Sequence, residues 1–510
     1  MTIHIEKPAL TKIVATLGPA TDSVETLQKL VAHGVSVFRL NFSHGDLHAH
    51  RERLLLVRQA SQEMGRPLAI LGDLCGPKIR VGKVPQGGIL VEAGQDVLVR
   101  TDVEMAEDGK SPVLPCSYEP LAREVVAGQR VLIDDGNIRM LAVEALPHEN
   151  ELRCRVVTGG RVTTGKGLNL PDSSLSAPAI TEWDKECMVW AVEHGADFLA
   201  LSFVRRAEDV LELKRLLGAL ARGLTPMPDG VVPPAPSGAI PVIAKIEKPQ
   251  AVEHIDGILE AADGIMVARG DLGVELDVAH VPIVQKRLIA RAKDFGKPVI
   301  VATQMLESMI ERASPTRAEA SDVANAILDG ADAVMLSGET AVGKFPVYAV
   351  ETMRRIALAT EDEERRAKRT DSPPRILQEA RDRTAALAHG AWHIVEDIGA
   401  SLVVVWSEGG GSARKLSQND FHVPIIAFSS DETAVRRMAL LRGVSPILWT
   451  RIPEHRSEFA AMVDRYALEH HWARPGDWMV LIAGKPLGVR GVVNTVAIRR
   501  AGELVSGSDE

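Results

Sequence analysis

Lysine, glutamate and aspartate stand at the ends of two short apolar runs in mid-chain, and their spacing is the first chemical signal. Ile243-Ala244-Lys245-Ile246-Glu247 is followed, after a helix-like stretch, by Gly264-Ile265-Met266-Val267-Ala268-Arg269-Gly270-Asp271. In an extended strand alternate side chains leave the same face, so Lys245 and Glu247 point together. Asp271 comes just past Gly270, where the missing side chain lets a ligand approach the backbone. Two neighbouring parallel strands would each end in a carboxylate with an ammonium beside them. That set suits a hard divalent cation and an anionic substrate. A buried Lys–Glu–Asp cluster of structural use is the competing reading, costly in desolvation. Two consecutive strand ends of one kind point instead to function.

Such groups need a regular frame. Residues 12–16, 35–40 and 68–71 read as strands separated by helical stretches. The first helix is expected to be capped by Asp22, with Glu25 three residues on, and closed by Gly34. The alternation resumes with strands at 198–201, 242–246, 264–268, 299–302 and 333–336. Eight strand–helix units predict an α/β fold, a closed (β/α)8 TIM barrel of parallel strands. Polar or ionisable residues collect at the carboxyl ends of most of these strands, the rim that carries the active site in that fold.

Between the third and fourth strands the helix rhythm stops. Short strands at 88–91, 96–100, 130–133, 138–143 and 152–157, broken by turns such as Asp134-Asp135-Gly136-Asn137, predict an inserted all-β lid. The Pro-rich stretch 223–241 reads as an extended surface loop without chemistry. A charged tract at 361–369 and Pro373-Pro374 mark a boundary. The expected domains are therefore a barrel from 1–76 and 179–360, a lid from 77–178, and a C-terminal α/β domain from 361–510. In the last, strands are expected at 402–406, 425–428, 447–449 and 479–482. Ser407-Glu408-Gly409-Gly410-Gly411-Ser412 is a Gly-rich turn opening a helix, whose free N–H groups suit an anion. Gly484 to Gly491 adds a loop carrying Lys485 and Arg490; if the two loops meet, a phosphorylated effector fits between them.

The chain of 510 residues can bury several cores. A net charge of −9 argues against a nucleic-acid or anionic-membrane partner. The first ten residues lack the apolar core of a signal peptide, and no apolar run reaches the roughly 20 residues of a membrane span. Cys75, Cys116, Cys154 and Cys187 show no metal-ligand spacing and read as reduced thiols. A cytoplasmic location is expected.

Several segments together resemble the pyruvate kinase family: Arg39 through Gly45, Asp73 through Arg80, Lys245-Ile246-Glu247, Met266 through Gly273, Ala302 through Met309, and Met335 through Thr340. The resemblance implies phosphoryl transfer from phosphoenolpyruvate to ADP, giving pyruvate and ATP. It implies that Glu247 and Asp271 hold Mg²⁺ (or Mn²⁺) and that Lys245 faces the migrating phosphoryl group. Arg39 would grip the phosphate, while Gly270, Asp271 and Thr303 seat the substrate carboxylate. Thr303 and Ser337 lie where the enolate is protonated. Asn41, Ser43, His44, Arg80 and Lys166 match nucleotide-side positions. Many members bind K⁺ near positions matching Asn41, Ser43, Asp73 and Leu74. Leu74 offers no side-chain oxygen, and Lys78 stands where a glutamate is usual, so its ammonium is expected to replace the mobile cation and make K⁺ unnecessary. Cys75 adjoins the turn after the third strand and is expected to be an inert buried thiol. The family also suggests a homotetramer answering to a phosphorylated effector. Two alternatives are a Mg²⁺-dependent pyruvate-enolate aldolase or lyase and a catalytically silent metabolite sensor.

Overall fold

In the computed structural model residues 9–223, 239–366 and 382–503 are described. Most of the Pro-rich 223–241 stretch, and Pro373-Pro374, lie outside them. Strands Lys12–Thr16, Val35–Asn41, Ala69–Asp73, Phe198–Leu201, Val242–Ile246, Gly264–Ala268, Val299–Ala302 and Ala333–Leu336 close into a barrel. Each pairs in parallel with its chain neighbour, and the first closes on the last, Lys12 beside Ala333. All eight stand where the sequence places them. They are apolar on both faces because both are buried. Val14, Val37, Leu71, Ile243, Met266, Ile300 and Met335 fill the interior. The alternate residues pack outward on helices through Leu27, Leu54, Leu213, Leu288 and Met353.

Local chemistry sets the loops. The cap of helix Val24–Ala32 is Ser23, which accepts from the Thr26 N–H at 3.2 Å; Asp22 instead takes Arg53 at 2.8 Å. Either residue satisfies the cap pattern in sequence, and the pairing with Arg53 decides between them. Thr181 and Asp184 form a capping box on helix Glu182–Glu193. Asp184 Oδ1 also accepts from the Cys75 and Gly76 N–H groups at 2.8 and 3.2 Å, which fixes the turn leaving the third strand.

The lid carries a six-stranded and a two-stranded sheet around its own core. Beyond the expected strands it includes Val113–Pro115, Gly160–Val162 and Leu168–Asn169, each too short to register as a pattern. The C-terminal sheet has five strands; the one missed in sequence, Thr495–Arg500, is an antiparallel edge with Arg499 and Arg500 on it. Such charged edges blunt further pairing.

Helix Pro346–Arg366 takes in the first part of the charged tract, and two of its acids are buried. Glu361 accepts from the Leu10 and Thr11 N–H groups, and Glu364 from Arg442 at 2.9 Å. Ala439 and Leu440 of the C-terminal domain join the cluster inside the barrel, so that domain plugs the amino-terminal mouth. The carboxyl-terminal mouth is left to the lid. Among the described residues no helix is long and apolar enough to cross a membrane.

Candidate active site

The carboxyl-terminal mouth gathers the charges that the sequence pointed to. Lys245 Nζ lies 2.8 Å from Glu247 Oε1 and 3.3 Å from Asp73 Oδ1, and donates to Ser202 Oγ at 2.7 Å. Arg39 Nε donates to Asp73 Oδ2 at 2.6 Å and Nη1 to Thr16 Oγ1 at 3.2 Å. Asp73 and Glu247 are each 1% exposed, so these carboxylates depend on their cationic neighbours. Burial opposes the Lys245 ammonium, but Asp73 and Glu247 outweigh it and hold its pKa above the ordinary lysine value. Burial likewise works against ionised Asp73, yet Lys245 and Arg39 pull its pKa below the ordinary carboxylate range. Glu247 is pushed upward, by burial first, against the pull of Lys245 and with Asp271 adding to the rise.

Glu247 Oε2 accepts the Phe203 N–H at 2.6 Å. Its Oε1 is buried against the Lys245 ammonium at 2.8 Å. A buried carboxylate beside a second acid suits Mg²⁺ or Mn²⁺, hard ions bound by one or two carboxylates plus substrate oxygens. Asp271 sits in the first turn of helix Arg269–Glu275, close enough to raise the Glu247 pKa. A cation held by the two acids would reverse that mutual repulsion.

Thr303 follows the seventh strand at φ 70, in the left-handed region that β-branched residues seldom adopt. Its hydroxyl proton is committed to the Ala302 carbonyl at 2.6 Å, and its oxygen accepts from the Gly270 N–H at 2.7 Å. Arg269 holds this corner by donating to the Thr303 carbonyl at 2.8 Å and pairing with Asp322 at 2.7 Å. Ser337 differs: its Oγ is buried and unpartnered, while its N–H is taken by Glu339 Oε2 at 2.7 Å. Glu339 Oε1 takes the Leu306 N–H at 3.0 Å, tying the last two strand ends together.

The residues expected on the nucleotide side are more open. Asn41 Oδ1 accepts the Ser43 N–H, and Ser43, His44 and Arg80 are exposed. Arg80 donates to the Gly165 carbonyl at 2.9 Å, and Lys166 pairs with Asp134 of the lid at 2.6 Å. Leu74 is buried. Lys78 is exposed, and its Cε lies 3.3 Å from where a Cβ on Gly167 would stand. Cys75 is half-buried, and burial raises its pKa, which leaves it a poor nucleophile at neutral pH.

Sequence reasoning gave no role to Thr16, Ser202, Phe203, Arg269 or Glu339. Phe203 contributes only its backbone, at φ 54, so its side-chain type carries no signal. In the C-terminal domain Arg490 Cδ lies 3.7 Å from a Cβ placed on Gly409, so the two effector-loop candidates do meet. Arg490 pairs with Asp431. Ser407 is turned inward, its Oγ capping the Ala413 N–H at 3.1 Å, while Ser412 opens the helix Gly411–Ser417.

Comparison with known proteins bears on this arrangement. The family model described as "Pyruvate kinase, barrel domain" matches residues 9–350, and "Pyruvate kinase, alpha/beta domain" matches residues 385–499. "Pyruvate kinase 2" of Synechocystis sp. is 42% identical over 494 residues, 96% of this chain and 79% of that one. The "Pyruvate kinase" of Mycobacterium intracellulare is 42% identical over 495 residues, 96% of this chain and 98% of its own. A crystal structure of a pyruvate kinase from Cryptosporidium parvum superposes with a TM-score of 0.84 at 33% identity, covering 97% of this chain and 96% of that one. With both domain models matched in order and the barrel mouth built as above, the chain belongs to the pyruvate kinase family.

Proposed function

We propose that the chain transfers the phosphoryl group of phosphoenolpyruvate to ADP, giving pyruvate and ATP. The carrying observation is the buried Lys245 ammonium, kept charged by Asp73 and Glu247, with the Arg39 guanidinium sharing Asp73 beside it. Phosphoryl transfer asks for positioning and charge neutralisation more than covalent help. Lys245 faces the migrating phosphoryl group and the developing enolate oxygen. Arg39, braced by Asp73 and Thr16, turns its remaining N–H groups to the phosphate. Mg²⁺ or Mn²⁺ bound by Glu247 and Asp271 would neutralise charge on substrate carboxylate and phosphate oxygens. Thr303 and Gly270 shape the seat of the carboxylate. Because the Thr303 hydroxyl is already spent on Ala302 and Gly270, Ser337 is the better placed of the two to pass a proton to the enolate, through water. Asn41, Ser43, His44, Arg80 and Lys166 serve the nucleotide.

Leu74 removes an oxygen donor from the monovalent-cation region, and Lys78, four residues on, supplies a fixed positive charge. Activity without added K⁺ follows. Family likeness supports a cytoplasmic homotetramer, and Gly409–Gly411, Ser412 and Arg490 support a site for a phosphorylated effector. The lyase and silent-sensor readings gain no support from the comparisons.

A coupled assay with phosphoenolpyruvate, ADP and Mg²⁺ in buffer free of K⁺ and Na⁺ tests both levels. Turnover in that buffer, changed less than about twofold by K⁺, is expected. Turnover only after a large, saturable response to K⁺ would overturn the K⁺ reading alone; no turnover under either condition would overturn the activity.

A further inference from the structure

A cleft of about 350 Å³ opens where the lid rejoins the barrel, and of its lining residues only Lys78 has a part proposed elsewhere, as the fixed charge in place of K⁺. Its size lies within the usual range of small-molecule sites. One wall is the returning lid segment that includes Leu170 and Leu175; the other is the barrel loops carrying Phe203, Arg205, Arg206 and Lys248. The charge is lopsided. Four cations, Lys78, Arg205, Arg206 and Lys248, face the single carboxylate of Asp172. That acid is already taken by Arg130 at 2.6 Å.

Two of the cations are free to recruit an anion. Lys78 is exposed and has no acidic partner among the described residues. Arg206 reaches only Glu208, at 3.8 Å on open surface. The other two build the floor by tying lid to barrel. Arg205 donates to the Leu175 and Ala177 carbonyls at 2.6 and 3.0 Å. Lys248 shares Glu275 with Asn169 of the lid, at 2.7 and 2.9 Å. Gln250 also lines the cleft, and its Oε1 is buried without a donor, a waiting partner for a ligand N–H or O–H. Phe203 lines the cleft and donates its N–H to Glu247, so an occupant would touch the residue that orients a proposed metal ligand.

We propose that this joint cleft binds a small organic anion, a phosphate or carboxylate head on an apolar or aromatic body, and that its occupancy sets how the lid sits on the barrel. The anion would lie between Lys78 and Arg206, with its body against Phe203 and Leu175. Such a ligand acts on turnover without touching the reacting atoms.

Phenyl phosphate and benzoate are the probes, each titrated calorimetrically into the full chain with phosphoenolpyruvate and Mg²⁺ present and ADP absent, so that the barrel mouth is occupied. At least one probe is expected to bind, and to slow amide exchange in residues 168–177. Arg206→Glu is expected to weaken that binding about tenfold, the scale of one charge-assisted hydrogen bond. The same variant keeps its turnover rate without probe. Arg490→Ala leaves probe binding intact. A preference for phenyl phosphate marks a phosphate head, and one for benzoate a carboxylate. Absence of binding by both probes, displacement by phosphoenolpyruvate, unchanged affinity in Arg206→Glu, or loss in Arg490→Ala would each overturn the proposal.

Discussion

Lys245 stands at the centre of the residue-scale chemistry because it is wedged between two buried acids rather than facing one. Replacing it by Met keeps much of the volume but leaves Asp73 Oδ1 and Glu247 Oε1 with no cation between them. Preorganised charge of this kind is worth about 10²–10³ in turnover when one donor is removed. Lys245→Met is therefore expected to lower kcat by about that factor, with a smaller change in the KM for ADP. Steady-state kinetics on the variant, checked for folding by circular dichroism, decide it; a kcat within tenfold of the parent would place the ammonium outside the transition state. Thr303 and Ser337 carry a different lesson at this scale. Both are hydroxyls at strand ends, alike in sequence, yet one makes two hydrogen bonds and the other has none.

The elements that position these groups depend on polar ties at their other ends. Asp332, just before the eighth strand, accepts from the Val299 N–H at 2.8 Å and from Gln418 at 2.8 Å. Burial pushes its pKa up to about 6, against the hydrogen bond from Val299 and the charge of Lys293. The folded protein thus holds this proton more tightly than the unfolded chain does. The stabilisation is complete below the unfolded pKa, near 4, and is lost as pH rises through about 6. Asp332→Asn removes that loss. Its amide can donate to Gln418 Oε1, which is buried without a partner, once the Gln418 amide turns over. The variant is expected to gain about 2–3 kcal/mol on the parent between pH 4 and 7.5. Thermal unfolding across that window checks it: a parallel shift at all pH values would mean that Asp332 does not titrate as described.

At the scale of the whole molecule, the catalytic rim and the candidate effector loops are held apart and joined through the barrel. The C-terminal domain closes the amino-terminal mouth through Ala439 and Leu440, and Lys12 at the first strand donates to the Val444 carbonyl at 2.7 Å. Around that contact runs an ionic network whose Arg442–Glu364 pair is buried. Arg442 pairs with Glu364 at 2.9 Å and with Asp420 at 3.5 Å, and Lys293 takes Asp420 at 2.7 Å. Breaking a buried pair from one side leaves an uncompensated charge, at a cost of about 3–5 kcal/mol. Arg442→Met removes the cation that Glu364 and Asp420 share and should therefore destabilise the interface by up to about that amount. Differential scanning calorimetry is expected to show the C-terminal domain unfolding earlier; an unchanged trace would mean that the network adds nothing to docking.

What the sequence determined by itself is local and periodic. Apolar runs alternating with helical stretches located every barrel strand, and the alternation of Lys245 and Glu247 set both on one face, because strand geometry depends only on neighbours in the chain. The resemblance carried the family from a few contiguous segments. Tertiary structure decided which groups share a partner. Asp73 serving both Arg39 and Lys245, the Phe203 N–H on Glu247, Arg269 under Thr303, and Glu361 capping the Leu10 and Thr11 N–H groups all join residues far apart in sequence. No periodicity encodes such pairings, since they arise only when the barrel closes and buried polar groups must find partners.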